Sequence, residues 1–202
     1  MSERLARIRL RNSTAIPTDR LLAVCHEVTS GWAIGSIDVF FRYSRGAEFS
    51  GTCYYTSRKI HVNLGRQLVY PYRMGTNLGR AKTVGRRWYR PVYTIELRDG
   101  FEVVLFVFLH ELYHLLVKRA RRNTRQKEGM CDRFAARHLV DRYGAAVRDP
   151  KGRPVSREEW DFQDLDGFVA AARDRRVRRR SAIASGGAAP GSTAEQLLMF
   201  PA

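Results

Sequence analysis

The stretch from Phe101 to Val117, FEVVLFVFLHELYHLLV, is apolar around its whole circumference when wound as a helix, yet it contains Glu102, His110, Glu111 and His114. A helix that is hydrophobic all round is either a buried core helix or a membrane span, and this run is shorter than the roughly 20 residues a span needs. It therefore predicts a core helix over about 100 to 118, with no membrane crossing. Asp99 followed three residues later by Glu102 resembles a capping box and marks where that helix starts.

The remaining elements are read around this helix. Thr18 to Ser30 places Leu21, Leu22, Val24, Cys25 and Val28 near helical spacing before Gly31. Ile37 to Tyr43, Gly51 to Tyr55 and Lys59 to Leu64 are short runs rich in β-branched and aromatic residues, separated by turns, and are expected to form antiparallel strands. Arg66 to Arg90 holds Gly75, Gly79 and Gly85 among many basic residues and is expected to be a long surface loop. Pro91 to Leu97 resumes strand alternation. After the basic connector Lys118 to Lys127, a second amphipathic helix runs from about Lys127 to Tyr143 and is stopped by Gly144. Ser156 with Glu159 predicts a last helix reaching about Arg173. Beyond that, Arg, Ser, Gly and Ala dominate and cannot bury enough surface to order a chain. The expectation is an α+β domain over 1–172, with a small antiparallel sheet packed on the two helices, and a disordered basic tail over 173–202.

His110 and His114 lie four apart on the core helix, so both imidazoles project from one face, with Glu111 beside them. Burying two imidazoles and a carboxylate in apolar surroundings is costly unless a charge compensates, and a metal ion does so. HExxH on a helix is the zinc pattern in which the glutamate is the general base for hydrolysis. A catalytic zinc takes three protein ligands and keeps one position open. Glu128 and Asp132, one turn apart on the next helix, supply the third ligand and a partner for the free ring N–H of His110, respectively. An oxyanion-stabilising side chain is also expected, with His138, Tyr143 and Tyr113 as candidates.

HELYHLL followed by EGMCDRFAA resembles the ImmA/IrrE metallopeptidases and, more broadly, the gluzincin zinc proteases, over about residues 18 to 143. The resemblance implies a zincin-like fold and a zinc endopeptidase acting on a protein substrate. It also implies Glu128 as third ligand and Asp132 as support for a ligand histidine. Cys131 stands where alanine is common in that family. A SprT-like protease, which uses a third histidine in place of the glutamate, is the nearest competing family and would require His138.

A net charge of +16 points to a polyanionic partner such as DNA. Arg173, Arg175, Arg176, Arg178, Arg179 and Arg180 form a cluster able to neutralise phosphates at the start of the tail. The terminal Gln196, Leu197, Met199 and Phe200 resemble the peptide by which bacterial replication and repair proteins dock on the sliding clamp. The substrate expected from these features is a DNA-bound repressor or another DNA-associated protein. The competing class is a non-enzymatic DNA-binding or adaptor protein with a structural zinc. Three widely spaced cysteines without a CxxC pair, and a charged N-terminus without a secretory pattern, predict reduced thiols and a cytoplasmic location.

Overall fold

The computed structural model describes residues 7–170. The predicted tail, with its arginine cluster and its terminal peptide, lies outside these residues, as does the proposed domain boundary at 172.

The fold is mixed α+β. Strand β1 (Arg7–Asn12) alternates arginines with Ile8 and Leu10, a pattern that turns one side to solvent and the other to the core. Helix α1 (Thr18–Thr29) buries Leu21, Val24, Cys25 and Thr29. Strands β2 (Ser36–Tyr43), β3 (Phe49–Tyr54) and β4 (Lys59–Leu64) complete a four-stranded sheet in the order β1-β2-β4-β3. Ile37, Val39 and Phe41 of β2 and Ile60, Val62 and Leu64 of β4 face inward and are buried.

The expectation of an antiparallel sheet fails for most of these strands. β1, β2 and β4 run parallel, and only the β3–β4 pair is antiparallel. Alternation identifies the buried face of a strand but not its neighbour or direction. Parallel neighbours need a crossover of a dozen or more residues. The α1 segment supplies one between β1 and β2, and the stretch from 44 to 58, which contains β3, supplies the other.

A second correction concerns Arg66 to Arg90, which is not one long loop. It contains β5 (Tyr72–Thr76), β6 (Lys82–Val84) and β7 (Arg87–Tyr89). β5 joins β8 (Tyr93–Leu97) and β9 (Ala146–Arg148) in an antiparallel sheet, with Met74 opposite Ile95. β6 and β7 form a separate hairpin in which Gly85, at φ 60°, supplies the positive φ that a tight turn demands. The polar and glycine positions of these short strands mask their alternation in the sequence.

Helix α2 (Gly100–Arg119) fills the centre, with nearly every residue from Phe101 to Val117 buried. Asp99 caps it by accepting from the Glu102 N–H at 2.9 Å. The Glu102 carboxylate does not return to the Asp99 N–H, as a full capping box would; it accepts from the N–H and Nε of Arg98, each at 2.7 Å. At 20 residues, α2 is long and apolar enough to cross a membrane, so length does not exclude a span as the sequence suggested. What distinguishes it is that 83% of its most apolar window is buried inside this fold.

Helix α3 (Glu128–Tyr143) packs antiparallel to α2, since Phe101 meets Tyr143 at one end and His110 meets Asp132 toward the other. Gly144, at φ 66°, ends it in the left-handed conformation. The predicted last helix is instead two single turns, α4 (Arg157–Trp160) and α5 (Leu165–Phe168). Ser156 makes no side-chain cap; Asp164 caps the second turn by accepting from the Gly167 N–H at 2.8 Å. Trp160 and Leu165 are both buried. Five residues apart, they would diverge by well over 100° on a continuous helix, and the break turns both inward.

Candidate metal centre

The facing stripes of α2 and α3 build the site. His110 and His114, one turn apart on α2, bring their Nε2 atoms to 3.2 Å. Glu128, in the first turn of α3, spans both: one carboxylate oxygen is 3.1 Å from His110 Nε2 and the other is 3.4 Å from His114 Nε2. His110, His114 and Cys131 also offer ligand atoms within 4.8 Å of one another, close enough to hold a metal ion.

Asp132 fixes the orientation of His110. One of its oxygens accepts from His110 Nδ1 at 2.7 Å, which leaves Nε2 pointing into the site. Its other oxygen accepts from the backbone N–H of Asn77 at 2.6 Å and from the Asn77 side chain at 3.2 Å. The stretch after β5 is pinned to α3 here. Arg133 extends the same seam, donating to the carbonyls of Asn77 and Leu78. No side-chain partner among the described residues reaches the buried His114 Nδ1.

Glu111 stands beside this group on the side of β3. Its carboxylate accepts from the Cys53 N–H, so the unpaired edge of β3 runs along it. β3 approaches closely because position 51 is glycine; a Cβ there would come within 2.5 Å of the Glu111 carboxylate and 2.7 Å of Val107.

The electrostatics favour a cation at this point. Burial works to lower the pKa of His110, but hydrogen bonds to Asp132 and Glu128 and the charges of Asp132 and Glu111 carry it up to about 10. Burial and the neighbouring His110 charge lower that of His114. Glu128, with its side chain 58% exposed, is held below the ordinary carboxylate range chiefly by its hydrogen bond to His110. Burial, aided by the Glu128 charge, raises Glu111. Burial and three surrounding carboxylates push the Cys131 thiol well above its ordinary value.

The structure thus brings together His110, Glu111, His114, Glu128 and Asp132. It does not bring in the other sequence candidates. His138 packs near Tyr143, and Tyr143 against Phe101, toward the far end of α3. At 1.5 Å per residue they lie about 15 and 22 Å along the helix from Glu128. The Tyr113 hydroxyl is spent on the carbonyl of Leu165 at 2.9 Å within the core. Sequence reasoning missed Cys131 as a donor, although its place three residues after Glu128 puts it on the same face. Gly51, Cys53 and Asn77 gave no local signal, because their roles depend on strand placement.

No protein-family model matches the chain, and neither a curated protein nor a solved structure matches it.

Proposed function

We propose that this chain is a zinc-dependent endopeptidase of the ImmA/IrrE-like, zincin type. The observation that carries the reading is the triangle formed by His110 Nε2, His114 Nε2 and the Glu128 carboxylate, with edges of 3.1 to 3.4 Å. Tetrahedral zinc with bonds of about 2.0–2.1 Å spaces its ligand atoms about 3.3–3.4 Å apart, so the donor set fits that ion. Distance alone also admits Cys131 as third ligand. Glu128 is preferred because its carboxylate spans both imidazoles, with oxygens 3.1 and 3.4 Å from the two Nε2 atoms. Glu111 stays outside the triangle, as a general base should.

Zinc supplies a Lewis acid that polarises a carbonyl and lowers the pKa of water toward 7. Asp132 holds the His110 ring in the tautomer that presents Nε2. Glu111 takes a proton from the attacking water and returns it to the leaving amine, and its raised pKa suits that exchange. The free edge of β3 beside Glu111 is the place for a substrate segment to join as an added strand. With a net charge of +16, the substrate class favoured is a DNA-associated protein met in the cytoplasm. A SprT-like site is disfavoured by the distance of His138.

The test is metal analysis of the full chain, with digestion of a panel of DNA-bound proteins by wild type and Glu111→Gln. One zinc per chain in both, with cleavage by the wild type alone, is the expected outcome. Zinc in both preparations with cleavage by neither would favour the adaptor with a structural metal.

A further inference from the structure

The face of the four-stranded sheet turned away from α2 carries chemistry that the metal centre does not use. None of the side chains it presents is buried. Phe40, His61 and Tyr54 form a ring cluster across β2, β4 and β3. His61 sits edge-on to Phe40 with centroids 4.7 Å apart, and to Tyr54 at 5.1 Å. With Arg42, Ser57 and Lys59 they line an open cleft.

Cations surround the rings. Arg42 donates to His61 Nδ1 at 3.1 Å, which requires a neutral imidazole; burial, Arg42 and Lys59 keep the His61 pKa low. Arg11 lies over Phe40 at 5.8 Å, and Arg7 and Arg9 share its side of β1. Among the described residues the one acid on this face, Asp38, is taken up by Arg9 at 2.5 and 2.9 Å.

We propose that single-stranded DNA lies across this outer sheet face, its bases stacking on the Phe40–His61–Tyr54 cluster and its phosphates meeting Arg11, Arg42 and Lys59. Charge complementarity selects a polyanion. The exposed Tyr54 ring and its aromatic neighbours select unpaired bases, because a duplex keeps its base faces covered. Four strands at about 4.8 Å spacing give room for two or three nucleotides. Asp38 and Asn63, acceptors suited to a ribose 2′-hydroxyl, are already engaged by Arg9 and Arg42, which argues for DNA over RNA. The inference does not depend on the zinc reading.

The experiment uses the full chain and a fluorescent oligothymidylate, with anisotropy titrations across salt and cross-linking of the wild type to a 5-iodouracil oligonucleotide. Tyr54→Ala should weaken binding at least about 5-fold. Arg42→Ala with Lys59→Ala should flatten the salt dependence by about 1.4 in log–log slope, at about 0.7 per phosphate contact. Cross-links should fall on Tyr54 or Phe40. Cross-links found only on β6–β7 or on the arginines from 173 to 180 would overturn the proposal. So would equal affinity for duplex, preference for RNA of the same sequence, or binding to anionic vesicles without binding to the oligonucleotide.

Discussion

Asp132→Asn exchanges one carboxylate oxygen for an amide nitrogen at a buried junction. The aspartate accepts from His110 through one oxygen and from Asn77 through the other. Asparagine keeps the shape but has one acceptor. If its oxygen serves His110, its amide faces the Asn77 N–H donor to donor; if it flips, His110 loses its anchor. Either way a donor is left unsatisfied, at about 1–3 kcal/mol. Loss of such a partner to a ligand histidine weakens metal binding about 10- to 100-fold. Competition with a chromophoric zinc chelator reads this without any substrate. Asp132→Ala should fall at least as far, while Asn77→Ala, which keeps the backbone donor, should fall less. Zinc affinities of both Asp132 variants within about twofold of wild type would refute the claim that this carboxylate orients the site.

Gly51→Ala places a methyl group 2.5 Å from the Glu111 carboxylate and should cost about 1–3 kcal/mol, or about 2–12 °C in Tm, while zinc affinity holds; an unchanged melting curve would contradict the close approach. In the metal-free chain, the folded-state pKa of His110 near 10 lies above its unfolded value of about 6.5. Its contribution to stability is therefore complete below about pH 6.5 and lost as pH rises through about 10. Urea midpoints at pH 6 and 10 should show that decline without metal, and His110→Ala should remove it. Cys131→Ala should leave zinc affinity nearly intact and Glu128→Ala should not; a thiolate-to-cobalt absorption band in the cobalt-substituted wild type would reverse the assignment.

Much of the centre was legible because helices encode geometry in short spacings. A spacing of four from His110 to His114, and of four from Glu128 to Asp132, is enough to align each pair on a helix face. The apolar continuity of α2 and the glycine after Tyr143 marked both helices to within a residue or two. Strand spacing carries less. Alternation told which side of β2 and β4 is buried but not that they run parallel, and the alternating arginines of β1 read only as charge. The breaks at Asp161–Asp164 and the arrival of Gly51, Cys53 and Asn77 at the site are tertiary events with no local periodicity. His138 and Tyr143 failed as site candidates for a simple reason: axial rise carries them away from Glu128.

Every candidate donor at the centre, and each group that hydrogen-bonds one, from Cys53 on β3 through Asn77 to Asp132, precedes residue 133 in the chain. Synthesis runs from the N-terminus, so every candidate donor is translated before α4 and α5. A nascent chain whose first 143 residues have left the ribosome thus already carries every candidate donor, held on α2 and α3.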